Sequence, residues 1–186
     1  MIILKEIRFY IMRTTICFLF LLLNQMVFGQ DAADVIVYKG SNVSFIFNSL
    51  KDYTNLAGKE FTNWTRIKVK LQDDLGAKGW EVTVNTDNDL FDGADGNTLS
   101  SFFVEVQIQS VSPAFPSAPG DILESDWVPL SSTPTIIMSG TNLPANPLTV
   151  EYELIINYRC GFNGVLVNQA WDYYVDNINF TISSIE

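Results

Sequence analysis

The chain has 186 residues, with 21 Asp and Glu against 11 Lys and Arg, a formal net charge of −10, two cysteines and no histidine. An acidic chain repels nucleic acid and anionic membrane surfaces. The missing histidine removes Ser-His-Asp and Cys-His catalysis and the usual zinc ligands, so carboxylate pairs, a Ser-Lys dyad and a calcium site are the chemistries left open.

The first segment reads as an export signal. Lys5, Arg8 and Arg13 precede the apolar run Ile16 to Leu23, and the segment closes at Val27-Phe28-Gly29-Gln30. A basic stretch, an apolar stretch and a small residue near the cut are the parts such a signal needs. The run is shorter than the about 20 apolar residues of a membrane-crossing helix. Met12 offers an alternative start, and Cys17 sits too early for lipid attachment. Residues 1–30 are therefore expected to be a signal peptide and 31–186 one domain that does not span the membrane. The domain carries eight Lys and Arg against twenty Asp and Glu, a formal charge of −12. Cys160 is its only cysteine, which rules out an internal disulfide and predicts a buried thiol.

Ala33 to Tyr38 is expected to be a first strand, or else a strand lent to another copy, the former being the simpler reading. Val43 to Phe47 alternates Val43, Phe45 and Phe47 with Ser44 and Ile46, and predicts a second strand. Asn48 to Lys59 reads as a loop with one helical turn. Phe61 to Thr86 has the pattern of a β-hairpin: two alternating runs separated by Asp73, Asp74, Gly76 and Gly79. Trp80, on the second run, is the largest apolar body able to lie between two sheets. Asn85 to Asn97 predicts a Gly/Asp/Asn loop, and Phe102 to Val111 a long strand with Phe102, Val104, Val106 and Ile108 on one face.

Ser112 to Pro134 contains five prolines and cannot be a central strand. Ile136 to Met138 is a short strand, and Gly140 to Pro147 a turn. Leu148 to Cys160 is the longest alternating run. Val165 to Val167 reads as an edge strand, and Tyr173 to Ser183 closes the chain with Tyr174, Ile178, Phe180 and Ile182 on one face. Short strands with frequent turns and no amphipathic helix predict an all-β fold, an antiparallel two-sheet β-sandwich of immunoglobulin-like or jelly-roll-like kind.

Three groups of side chains invite a function. Asp87, Asp89, Asp92 and Asp95 are the densest charge, and calcium is held by carboxylate, amide and carbonyl oxygens of this kind. Phe91 replaces the third ligand of a helix-loop-helix calcium site and no glutamate closes the loop, so a solvated turn competes with a metal site. Trp127 beside Asp121, Glu124 and Asp126 could hold a sugar, whose ring stacks while its hydroxyls donate to the acids. The competing reading folds Trp127 back to pin its loop. Arg66, Lys68 and Lys70 form a cationic ridge that could meet an acidic partner or guard a sheet edge.

Leu71 to Val84 resembles the Asp, Gly-Trp and alternating-strand pattern of WxL-type cell-surface domains. Tyr152 to Ile182 resembles the carboxyl end of WxL domains and of spore-coat-U and fimbrial-subunit proteins. The Trp-x-Leu element itself is absent, since Trp64, Trp80 and Trp127 are followed by Thr65, Glu81 and Val128-Pro129. The leader ending in Phe28-Gly29-Gln30 is similar to those of the Bacteroidota. These resemblances imply a bacterial surface or fibre-like structural role.

The expected function is thus an exported, non-enzymatic, cell-surface structural, adhesive or fibre-subunit protein in the periplasm, on the outer membrane or outside the cell. The alternative is a carbohydrate-binding module built on Trp127. Partners would be other surface proteins, copies of the same chain or glycans, with no nucleic acid. No cofactor is expected beyond calcium at the acidic loop.

Overall fold

The computed structural model describes residues 33–47, 49–72, 78–141, 149–170 and 172–185. The export-signal segment, Asp73, Asp74 and Gly76 of the expected hairpin turn, and most of the turn after Gly140 lie outside them. Residues 32–186 belong to one compact unit. Among the described residues no helix is long and apolar enough to cross a membrane.

The chain folds as antiparallel sheets in an all-β sandwich. In order the strands are β1 (Ala33–Lys39), β2 (Lys59–Gln72), β3 (Gly79–Thr86), β4 (Leu90–Gly93), β5 (Thr98–Ser100), β6 (Val104–Ser112), β7 (Ile122–Leu123), β8 (Val128–Pro129), β9 (Thr135–Gly140), β10 (Thr149–Cys160), β11 (Tyr174–Val175) and β12 (Ile178–Ile185). A one-turn helix, α1 (Leu50–Tyr53), is capped by Ser49, whose side chain accepts from the Asp52 backbone N–H. One sheet runs β1-β2-β10-β6-β8 and the other β12-β3-β9-β7; a small third sheet runs β11-β4-β5.

The strands of the expected hairpin exist, but they do not pair. β2 lies between β1 and β10, and β3 between β12 and β9. β2 and β3 belong to different sheets, and their pairing is set by distant partners. β10 covers β2 from Thr149↔Gln72 to Cys160↔Lys59, a longer match than the short β3 could supply. Ala33–Lys39 pairs with β2 of the same chain, the arrangement of an ordinary first strand.

Alternation sorts the core as elementary pleat geometry requires. Ile67, Val69 and Leu71 of β2, Tyr152, Leu154, Ile156 and Tyr158 of β10, and Val104, Val106 and Ile108 of β6 are buried from one side. Trp80, Val82 and Val84 of β3 meet them from the other. The Trp80 ring stacks on Tyr152 across the sandwich at 6.2 Å and meets the edge of Phe115 at 5.7 Å. Phe115 belongs to the proline-rich excursion, so that excursion closes one part of the core.

Four other expectations change. Val43 to Phe47 forms no strand: β1 stops pairing at Arg66, beside Asn63, whose φ of 53° bends β2. Val43, Phe45 and Phe47 are still half-buried while Ser44 and Ile46 are exposed, so the alternation reports burial without pairing. The Gly/Asp/Asn loop contains a strand, β4, which forms a hairpin with β5 just beyond the loop through the buried pair Phe91↔Leu99. Phe102 is not on the core face with Val104: it sits in a 3-10 turn, Ser101–Phe103, and is 62% exposed. Val165 to Val167 is a run of turns, with Val167 N–H donating to Gly164 and Gln169 N–H to Leu166.

Candidate functional site

The antiparallel register gathers the loops at one end of the sandwich. Cys160 pairs with Lys59 and with Val104, so residues 49–58, 98–103 and 161–169 emerge together. Ser101 then bonds the carbonyls of Asp89 and Leu130, which brings the acidic loop to the same end.

Each aspartate of that loop sits in a different environment. Asp87 accepts from the side chains of Asn177 (2.6 Å) and Asn179 (2.7 Å), and these bonds hold its carboxyl below the ordinary carboxylate range. Asp89 accepts from the backbone N–H of Ser132 at 2.7 Å, which lowers it likewise. Asp92 lies on β4, opposite Thr98 and Val175. Asp95 contributes its backbone N–H, which donates to Asp172. No three carboxylate, histidine or cysteine side chains among the described residues come together as a metal site.

Asp172 was not singled out from the sequence, yet it organises this end. Its carboxylate accepts from the Asp95 N–H (3.0 Å), the Asn97 side chain (3.0 Å) and its neighbour's N–H at Tyr173 (2.7 Å). Partial burial alone would raise its pKa. The hydrogen bonds from Asn97, Tyr173 and Asp95 outweigh that and hold it low. A Cβ on Gly93 would stand 2.3 Å from the Asp172 carboxylate oxygen, so glycine is what lets the turn close onto it. Asp176 accepts from the Asn88 N–H and ties the other end of the loop. The one sequence signal was the pair of aspartates flanking Tyr173, Tyr174 and Val175.

The second candidate group divides between the two sheets. Asp121 accepts from the N–H of Ala118 and of Thr141 and from the Thr141 hydroxyl, beside β7. The Glu124 N–H donates to Ile137 of β9. The chain then crosses over: the Gln107 side chain holds the Ser125 carbonyl, Asp126 is exposed, and β8 joins β6. Trp127 therefore sits on the outer face of the other sheet. The Arg159 guanidinium lies 4.5 Å from its ring centre and 3.8 Å from that of Phe162, and is fixed by a paired bond to Glu105. One face of the Trp127 ring is thus occupied by the protein itself.

Two members of the cationic ridge, Arg66 and Lys68, meet acids within the chain. Arg66 bonds Glu153 at 2.8 Å, and Lys68 approaches Glu151 at 3.7 Å, both across the β2–β10 register. Glu153 is held below its ordinary value first by a hydrogen bond from Tyr38, against partial burial, and then by Arg66.

The loop end also exposes large apolar side chains. Tyr173 is 68% exposed, Leu50 80% and Leu56 68%, with Leu90, Phe102 and Val175 also exposed. These side chains are carried on ordered backbone: Asn163 N–H donates to the Leu56 carbonyl, and Leu90 and Val175 lie on the small sheet. Large apolar groups in water at the same end as six aspartates (87, 89, 92, 95, 172 and 176) make this end the candidate site. Comparison with protein-family models and with curated proteins found no match.

Proposed function

We propose that the protein is an exported, non-enzymatic β-sandwich that works by contact at the cell surface, as a structural, adhesive or fibre subunit. Export is read from Lys5, Arg8 and Arg13 ahead of Ile16 to Leu23 and the close at Gly29. Contact is read from one observation: the loop end exposes aliphatic and aromatic side chains on a backbone clamped by Asp172 and Asp176. Such a rim suits a polypeptide partner with apolar anchors and basic flanks, because the aspartates repel acids and attract cations.

The experiment is localisation followed by capture. Surface labelling of intact cells should reach the protein, and a tagged form should retain a surface partner that a Leu56→Asp, Phe102→Ser form loses. Protein that stays in the cytoplasm, or capture unaffected by the two substitutions, overturns the reading.

A further inference from the structure

β1 is held by its backbone, by Tyr38 and by little else. Ile36, Val37 and Tyr38 are 49%, 41% and 44% exposed, Asp34 and Lys39 are exposed too, and Val35 alone of its described side chains is half-buried against the core. What fastens the strand is its ladder to β2 and the Tyr38 side chain, which is hydrogen-bonded to Arg66 and Glu153. The chain that follows is anchored. The Gly40 carbonyl accepts from the Thr65 hydroxyl at 2.6 Å, the Asn42 carbonyl accepts from the Trp64 indole N–H at 2.7 Å, and the Phe45 ring meets Phe61 edge-on at 5.0 Å. Between strand and stem lies a break. The β1–β2 register shifts between Val37 and Lys39, and Gly40 has a φ of 67° with the Trp64 carbonyl where a Cβ would stand. A lightly buried strand joined to a fixed stem through a bulge and a glycine is built to swing about that joint.

We propose that β1 exchanges between two copies, each lending Ala33–Lys39 to β2 of the other by rotation about Tyr38–Gly40. The fold itself identifies the occupant. When β1 leaves, it opens the edge of β2, whose Ile67, Val69 and Leu71 are at most 1% exposed, and an open edge recruits a strand. That edge fits β1 in the register seen within one chain: Asp34 opposite Lys70, Ile36 opposite Lys68, Val37 opposite Ile67. A second copy brings the same strand, with a Tyr38 to bond Arg66 and Glu153. Exchange therefore remakes the contacts it breaks and needs no new complementary surface, which makes swapping an element a low-cost route to a dimer. Mutual exchange also brings the two joints together, beside the exposed Trp64 of each copy. The exchange is independent of what the loop end contacts, so either can fail while the other stands.

The test uses protein expressed from the full chain, with mass measured by sedimentation across a concentration series. The unaltered protein should show slowly interconverting single and doubled mass, the doubled form gaining with concentration. Ile36→Cys and Lys68→Cys put thiols at exposed positions that face each other across β1 and β2. A chain carrying both, joined to itself by a short bis-maleimide at low concentration, should then stay monomeric at every concentration. The two single variants, incubated together at high concentration and then linked, should give a two-chain product in a yield that matches the doubled mass. Peptide mapping should join position 36 of one chain to position 68 of the other. A monomer at every concentration, a dimer that the link within one chain leaves intact, a mixture with no such two-chain product, or a double variant that does not link within one chain each overturns the proposal.

Discussion

Trp80 tests the packing of the sandwich. It is 2% exposed, stacks on Tyr152, and its indole N–H is buried without a hydrogen-bond partner. Burying a tryptophan removes about 150–250 Å² from water, worth ~4–6 kcal/mol at ~25 cal/mol/Å². The orphaned N–H takes back ~1–3 kcal/mol. Trp80→Ala should therefore cost about 3 kcal/mol, at the low end of what buried aromatics usually cost. For a domain of this size that is a fall in Tm of about 6–12 °C. Trp80→Phe keeps a ring against Tyr152 and Phe115 and removes the orphan, so it should cost less than about 1.5 kcal/mol. Thermal and urea melts followed by far-ultraviolet circular dichroism measure both. An unchanged melt for Trp80→Ala would place the ring outside the core. A phenylalanine variant as weak as the alanine one would refute the account of the N–H.

Asp87, Asp89 and Asp172 titrate lower in the folded chain than unfolded, so the stability they contribute is present above about pH 4 and lost as pH falls through their folded values. Asp172→Asn should reduce that acid loss and raise hydrogen exchange at 93–97; an unchanged acid slope and exchange pattern would remove Asp172 from the clamp. Asn157 is buried, accepts from the Asn63 N–H at 2.8 Å and donates to Gln107. Asn157→Ala should cost about 1–3 kcal/mol by stranding that N–H, and a neutral urea melt would contradict this. Cys160 is buried, and burial pushes its thiol up to about 12. It should resist thiol reagents until the protein unfolds, and its contribution to stability, complete below pH 9, should be lost as pH rises toward 12. Fast labelling in the native state would refute its burial. Calcium in excess over chelator should leave the melt unchanged, because Asp87, Asp89, Asp92 and Asp95 do not converge; a rise in Tm would restore them as a metal site.

The strands that carry the core were legible because alternation is local. The run from Leu148 to Cys160 states its own pleat, and β2, β3, β9 and β12 do the same in shorter form. Partnership was not legible, because it is decided by chain far away. β2 and β3 look like a hairpin until β10 claims β2 over its whole length. The bends fail for a related reason. Asn63 reads as one more residue in an alternating run, and only Asn157, 94 residues on, shows that the strand bulges there. The sequence left Trp127 between a sugar-stacking plate and a ring folded back on its own loop, because nothing nearby in sequence announces Arg159.

The acidic loop shows why composition misleads about sites. An aspartate chosen to hold a backbone and one chosen to hold a metal look the same in sequence; they differ in where the donors are. Here the donors are Asn177, Asn179, Ser132 and the loop's own N–H groups, and they are brought to the carboxylates by β12 and the small sheet. The carboxylates keep their charge while fixing the loops. Fixed loops lose less conformational freedom when a partner binds, and retained charge biases which partner arrives. Under the proposed contact role, the aspartates therefore act twice. They order the backbone that presents Leu56, Phe102 and Tyr173, and they select for basic flanks around whatever covers those side chains.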